Sequence, residues 1–232
     1  TPYAYGGSMP INYVRTWEAM APDSAHANVN VSTPVIQFKM ATAYLDGLGR
    51  PIQAVARQGS LATGNPSRDI VSSMLYDEMG REAYKYLPFV ADTTGGNTYT
   101  KDGNFKINPF QQDSVFNKAQ FPGESWFYGQ TIFEASPLSR PLKSMAPGNS
   151  WAGASRGIES KYWINRVADS VRIWTVTDVS NGFGSCATSA IYPKGRLFKN
   201  VTVDEHGKQV IEFKDKSDLV ILKKVQLIAT AD

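Results

Sequence analysis

One turn pattern recurs along this chain between stretches of alternating apolar residues, and it constrains the fold more than any other feature. Three times an Asp is followed three positions later by Gly, and once by a second Asp, at Asp46 and Gly49, Asp77 and Gly80, Asp204 and Gly207, and Asp215 and Asp218. The first carboxylate can accept hydrogen bonds from the N–H groups of its own turn. The residue three positions on can take the left-handed conformation that closes a hairpin, as Gly does readily and Asp less so. The pattern therefore predicts β-hairpins.

The sequence around these turns predicts four regions. Residues 1–31, with little periodicity, are expected to form an extended N-terminal arm that packs through Tyr13, Val14 and Trp17. Residues 32–90 are predicted to form hairpins, because apolar residues alternate from Ile36 to Tyr44 before the first turn. Residues 151–232 are predicted to form a β-meander, since the last two turns lie so close that one strand must serve both.

The region between them, residues 91–150, is predicted to be a loop-rich insert with one short helix. Asn108 followed by Pro109 is typical of a helix start, so a helix is expected over about residues 109–119 with Asn108 as its N-cap. Residues 101–104 (Lys-Asp-Gly-Asn) predict a tight hairpin turn or a loop tip. A mainly β, antiparallel fold of one or two curved sheets follows.

Composition supports a folded domain and argues against several partners. Charged residues make up 19% of the chain and aromatic residues 12%, which is typical of a folded protein rich in strands. A net charge of +3, without a run of five like charges, does not favour nucleic acid, and no stretch is long and apolar enough for membrane insertion. The sequence has no signal-peptide pattern at its start, so Thr1 is expected to be a processed or cut end.

The sequence resembles a known family. Residues 44–51 (Tyr-Leu-Asp-Gly-Leu-Gly-Arg-Pro) and residues 76–82 (Tyr-Asp-Glu-Met-Gly-Arg-Glu) resemble the YD repeats of bacterial Rhs proteins. The layout is most similar to the N-terminal region that precedes the YD repeats in Rhs proteins of the Bacteroidetes type. The resemblance continues, in the expected order, at residues 134–140 (Glu-Ala-Ser-Pro-Leu-Ser-Arg), 146–148 (Ala-Pro-Gly) and 214–216 (Lys-Asp-Lys).

The resemblance implies a structural role. In Rhs-type proteins successive YD hairpins pair edge to edge into a sheet that coils into a shell, which encloses a C-terminal effector in the toxin members. It implies that this chain starts or caps such a shell in a secreted or surface protein, with the following YD repeats as its partners and no catalytic residues of its own. Exposed sheet edges template pairing with other chains, so the isolated chain is expected to self-associate or to bind a partner protein.

The candidate chemistry in the sequence is sparse, and we expect no enzyme activity, no cofactor and no metal. Cys186 is the single cysteine, and neither His26 nor His206 is near it in sequence, which argues against a nucleophile set and against a zinc site. The Asp residues of the turns could suggest calcium, but turn capping explains their spacing without an ion.

Glycan binding is the main alternative function, with a glycosidase as a distant third. Aromatic rings can stack on sugars, and the candidates for such contacts are Trp126, Trp151, Trp163 and Trp174. In a β protein such residues more often lie in the core. An exposed row of at least two rings would favour the glycan-binding alternative, and two carboxylates in one pocket would favour a glycosidase.

Overall fold

The computed structural model describes residues 11–20, 29–30, 33–60 and 66–228. The chain divides into two units, Thr1–Thr131 with Met145–Ser155, and Ile132–Ser144 with Arg156–Asp232. The described residues are mainly antiparallel β with one α-helix, which confirms the predicted fold class. No helix in these ranges is long and apolar enough to cross a membrane.

The first unit is a sheet with one helix beside it. Its elements are β1 (Asn12–Ala19), β2 (Phe38–Leu45), β3 (Pro51–Ala56), β4 (Ile70–Leu75), β5 (Tyr84–Tyr86), β6 (Phe89–Val90), α1 (Pro109–Gln120) and the start of β7 (Tyr128–Phe133). The strands β1 to β5 pair antiparallel in chain order, β7 continues the sheet beside β5, and β6 pairs with β4. The helix α1 packs against β4 and β6.

The predicted alternation in β2 corresponds to the two faces of this sheet. Phe38, Met40, Thr42 and Tyr44 are buried on the inner face, whereas the residues between them are exposed or half-buried. The core cluster continues across the neighbouring strands and loops with Val55, Val71, Phe89 and Ala91. The period-two pattern therefore sets the inner face of the sheet, as expected for antiparallel strands with one side in the core.

Residues 91–108 pack against the inner face of the sheet, and the predicted turn or loop tip at residues 101–104 is wrong. Gly103 is buried, with a φ of +70°, and its carbonyl accepts a hydrogen bond of 2.9 Å from the Tyr44 hydroxyl. A Cβ at this position would lie 2.0 Å from the Met40 Cε atom. The segment needs glycine here because backbone and sheet approach so closely.

The predicted helix over residues 109–119 is confirmed as α1, and Asn108 is its N-cap residue with Pro109 in the first turn, but the Asn108 side chain does not cap the helix. Asn108 has a left-handed φ of 50° and makes no side-chain cap hydrogen bond. Its side-chain amide instead donates to the Gly95 carbonyl. A tertiary partner has thus displaced the local capping role that the sequence favours.

The predicted N-terminal arm contains a regular strand. Residues 12–19 form β1, which pairs with β2 along its whole length, from Asn12 opposite Leu45 to Ala19 opposite Phe38. Residues 1–10, 21–28 and 31 of the arm, including His26, lie outside the described residues.

The second unit is a meander with an added hairpin. Its strands are β8 (Pro141–Met145), β9 (Ile158–Ile164), β10 (Arg172–Thr177), β11 (Ser185–Ile191), β12 (Phe198–Val203), β13 (Gln209–Lys214) and β14 (Val220–Val225). The strands β8, β9, β12, β13 and β14 pair in that order, and β10 pairs with β11 in a separate hairpin. The predicted insert over residues 91–150 contains two strands that the sequence did not predict, β7 and β8, because its Pro and Gly residues favoured loops.

Apolar residues form the core of the second unit. Val171, Leu197 and Phe213 are buried together, and Tyr192, Ile211, Ile221 and Leu222 pack around them. Asn165 is also fully buried, and its side chain bonds the backbone of Tyr192, Pro193 and Leu197. The opposite face of the meander exposes Ile164, Phe198 and Val220.

Candidate functional site

The turn at Asp46 joins β2 to β3 and shows the hydrogen bonds that its sequence predicts. Its Oδ1 atom accepts from the N–H groups of Leu48 and Arg50, both at 2.9 Å. The Gly49 N–H donates to the Asp46 carbonyl at 3.0 Å, and Gly49 has a φ of 79°. These bonds, above all the one from the Arg50 backbone, lower the pKa of Asp46.

The other three predicted turns repeat this geometry. In each, Oδ1 of the first Asp accepts N–H bonds of 2.8–3.0 Å from the residues two and four positions later, which are Met79 and Arg81, His206 and Lys208, and Ser217 and Leu219. The left-handed position is held by Gly80, Gly207 and Asp218, with φ values of 77°, 81° and 62°. The four carboxylates thus face backbone donors within their own turns, as expected for Asx turns.

The Asp46 turn carries an additional clamp that the sequence did not predict. The Arg50 Nε lies 2.8 Å from Asp46 Oδ2, and the guanidinium lies over the Tyr76 ring at 4.4 Å. The Tyr76 hydroxyl donates to the Pro51 carbonyl at 2.9 Å. These contacts therefore tie the turn to Tyr76, the residue that directly follows β4.

A fifth turn, between β7 and β8, has the same form with different residues. Ser136 takes the place of the first Asp, because its Oγ accepts from the Leu138 N–H at 3.2 Å and its carbonyl accepts from Ser139 at 3.0 Å. Ser139 is left-handed, with a φ of 50°. Glu134 supplies the carboxylate, which bonds Arg140 at 2.8 and 2.9 Å, and these bonds lower the pKa of Glu134 to about 2.

The clamp at this fifth turn repeats the first one. The Arg140 guanidinium lies 4.5 Å from the Tyr162 ring, and the Tyr162 hydroxyl donates to the Pro141 carbonyl at 3.0 Å. In both clamps an Arg-Pro pair follows the turn, and the tyrosine comes 25 or 21 residues after the proline. The repeated Arg-Pro pair is the sequence signal that could have identified the fifth turn.

Inside the first unit lies a buried ion pair that sequence reasoning missed. The Lys106 Nζ lies 2.6 Å from Asp69 Oδ2, and both side chains have no exposed surface. Asp69 also accepts from the N–H groups of Gln58 and Gly103, both at 2.8 Å. The buried Gln53 side chain bonds both backbone groups of Lys106. This network fixes residues 101–108 to the sheet.

The expectation that the tryptophans lie in the core is wrong. Trp163 and Trp174 are 53% and 62% exposed, and the other three are half-buried. Trp126 and Trp151 line one pocket of about 250 Å³, together with Glu124. Phe, Tyr, Val and Leu fill the two cores instead, so the indoles remain at the surface.

A second pocket of the first unit, of about 500 Å³, is lined mainly by tyrosine and phenylalanine. Tyr84, Tyr86, Tyr128 and Phe110 line it together with Asp113 of α1. The ring centroids lie 4.8 Å apart for Tyr86 and Phe110, and 5.2 and 5.4 Å for Tyr128 with Tyr84 and Tyr86. Burial raises the pKa of Asp113 to about 7.

The other candidate residues have simple surroundings. Cys186 is exposed on β11, where it pairs with Val176. His206 is exposed in the Asp204 turn. No group of three or more His, Cys, Asp or Glu residues within the described ranges is arranged to hold a metal ion.

Comparison with known proteins identifies one family. The family described as Domain of unknown function (DUF6443) matches residues 15–164, which is 150 of the 232 residues. No curated protein and no solved structure matches the sequence. The match includes the Asp46, Asp77 and Glu134 turns and extends into β9. Because the match covers more than half of the residues of this chain, the chain belongs to the family DUF6443.

Proposed function

We propose that this chain is a non-catalytic structural domain in the N-terminal part of a secreted or surface Rhs/YD-repeat protein. It starts or caps a β-sheet shell of the kind that encloses a C-terminal effector in Rhs-type toxins. The observation that carries the proposal is one turn geometry that recurs five times between consecutive antiparallel strands in the described residues. A chain built in this way extends a sheet by one hairpin after another.

The edge strand β14 supports the proposal. It pairs with β13 on one side, and no other described strand pairs with it. Near this edge Leu219, Val220, Val225 and Leu227 are 51–85% exposed. An open edge with exposed apolar residues is a template for a further strand, and the following YD repeats would supply that strand.

The backbone of β14 shows where a partner strand would bond. The Gln226 N–H donates inward to the Gln209 carbonyl at 2.9 Å. Successive residues of an antiparallel strand alternate in direction, so the Val225 N–H points away from β13. Val225→Pro therefore removes an outward donor without removing a bond to β13.

Light scattering of the isolated chain over a range of concentrations tests the proposal. We expect the wild type to self-associate and Val225→Pro to do so at least about tenfold more weakly, because a proline blocks an edge. Val225→Thr is the matched control, since it keeps the N–H and a β-branched side chain, and it should behave as the wild type. A monomeric wild type at all concentrations would contradict the proposal.

Glycan binding is the second candidate, and one observation favours it. Trp126 and Trp151, two of the four candidate tryptophans for sugar contacts, line one pocket with the Glu124 carboxylate. Indole faces and a carboxylate are suited to the C–H groups and hydroxyls of a sugar ring. Binding to a glycan array that is lost in Trp151→Ala but kept in Trp174→Ala would support this function, and no binding by the wild type would rule against it.

A further inference from the structure

Two carboxylates are buried in the described residues, and they have different partners. Asp69 faces the Lys106 ammonium group and two backbone N–H groups. Asp113 is 3% exposed and accepts a hydrogen bond from the Asn117 amide at 2.7 Å. A buried carboxylate without a cation is costly, so the charge of Asp113 is the less compensated of these two.

The groups that face Asp113 are aromatic and uncharged. Tyr84 and Tyr86 of β5 and Tyr128 of β7 line the same pocket, with Phe110 from the first turn of α1. Burial raises the pKa of Tyr86 to about 12, so its hydroxyl stays neutral. Three other elements pack against α1, namely β4, β6 and the short 3-10 turn Thr94–Gly96, and they carry no titratable residue. Lys85 of β5 is exposed, and neither Lys nor Arg is among the residues that line the pocket.

We propose that this pocket binds an ammonium group, either of a small amine or of a lysine side chain, between the tyrosine rings and Asp113. The faces of aromatic rings carry negative potential and attract cations within about 6 Å of the centroid. A cation there would also supply the charge partner that Asp113 lacks. The volume of about 500 Å³ is sufficient for a trimethylammonium group. The inference does not depend on the proposed scaffold role.

Choline and its uncharged isostere 3,3-dimethyl-1-butanol distinguish charge recognition from simple apolar filling. With the whole chain in titration calorimetry at pH 8.5, we expect choline to bind at least about tenfold more tightly than the alcohol. At pH 5.5 Asp113 is protonated, and choline binding should fall by about tenfold or more. Equal binding of the two compounds, or no binding of choline at pH 8.5, would overturn the proposal.

Two variants test which side chain causes the pH dependence of choline binding. Asp113→Asn should remove the dependence of choline binding on pH, and Tyr86→Phe, which keeps the ring, should retain it. Circular dichroism checks that both variants are folded. Pocket binding that keeps its pH dependence in Asp113→Asn would refute the role of Asp113.

Capped Gly-Lys-Gly and Gly-Gln-Gly peptides separate the two sources of the ammonium group. Tighter binding of the lysine peptide than of choline would assign the pocket to a side chain of a partner protein, and the reverse order would assign it to a free amine. Both results support ammonium recognition. Equal binding of the lysine and glutamine peptides would exclude a lysine side chain as the source, whereas equal binding of choline and its isostere would by itself overturn the proposal.

Discussion

The two units share one kind of turn but stabilise their sheets in different ways. In the first unit, residues 91–108 lie against the inner face of the sheet and are held by the buried pair of Lys106 and Asp69. In the second unit the core cluster consists of Val171, Leu197 and Phe213 with apolar neighbours. The comparison indicates that the turns specify hairpins locally, whereas the packing on each sheet depends on contacts between residues far apart in the sequence.

The largest difference in stability between the two units should appear when one paired lysine in each unit is replaced. Lys106→Met leaves Asp69 buried without its cation and should cost about 3–5 kcal/mol of unfolding free energy. The matched change in the second unit is Lys199→Met, where Lys199 and its partner Asp169 have 17% and 13% of their side chains exposed. Water can reach this pair, so the loss should be about 1 kcal/mol.

Urea unfolding followed by circular dichroism measures both losses. The double variant Asp69→Asn with Lys106→Met should recover part of the stability, because no charge is left buried. Similar losses for the two single lysine variants would remove the contrast between the units.

The second prediction concerns Asp113, whose folded pKa is about 7, against about 3.9 for an unfolded Asp. The folded state favours the protonated acid, so stability should fall as the pH rises from about 4 to 7 and then level off. The fall amounts to at most about 4 kcal/mol. Asp113→Asn should be more stable than the wild type at pH 8 and about equal at pH 4.

The pKa shifts of the turn carboxylates are opposite in sign to that of Asp113, so their effect on stability changes with pH in the opposite direction. The pKa values of Asp46, Asp77 and Asp204 are lowered, so their contribution is present above about pH 4 and is lost as the pH falls through their folded pKa values. Urea unfolding from pH 3 to 8 should show both trends in the wild type. An Asp113→Asn profile identical to the wild type would contradict the assignment of Asp113.

A glycine pair gives the third prediction. Gly103 and Gly207 both have positive φ, but a Cβ at Gly103 would lie 2.0 Å from Met40 Cε, whereas a Cβ at Gly207 meets no atom within 4 Å. Gly207→Ala should cost about 1 kcal/mol from backbone strain. Gly103→Ala should cost about 2–3 kcal/mol, because Met40 must also move. Thermal unfolding ranks the two variants, and an equal loss would place residues 101–104 at the surface.

The smallest effects test whether the two clamps are equivalent. Tyr76→Phe and Tyr162→Phe each remove one hydroxyl that bonds a proline carbonyl at 2.9–3.0 Å. Each should lower stability by about 0.5–1 kcal/mol. Urea unfolding measures both losses. Losses that differ by more than about 1 kcal/mol between the two variants would show that the clamps are not equivalent.

Local signals in the sequence predicted much of this fold. The alternation in β2, the four Asp turns and the helix after Pro109 follow from backbone preferences over a few residues. The fifth turn was missed because Ser136 and Ser139 replace the expected Asp and Gly.

Interactions over long sequence distances could not be predicted. The bonds between Gln53 and Lys106 span 53 residues, and no periodicity records such a pairing. For the same reason the sequence predicted a tight hairpin turn or a loop tip at residues 101–104 and missed the Tyr pocket. It also placed the tryptophans in the core, since their size favours burial but does not decide which apolar residues fill a given core.

Amide hydrogen exchange along β14 tests whether the repeated turns build a sheet whose edge is open to a further strand. In dilute protein we expect fast exchange of the Val225 N–H and slow exchange of the Gln226 N–H, which bonds the Gln209 carbonyl. At high concentration the Val225 N–H should become protected. Slow exchange of the Val225 N–H in dilute, monomeric protein would show that the edge is already covered and not open to a further strand.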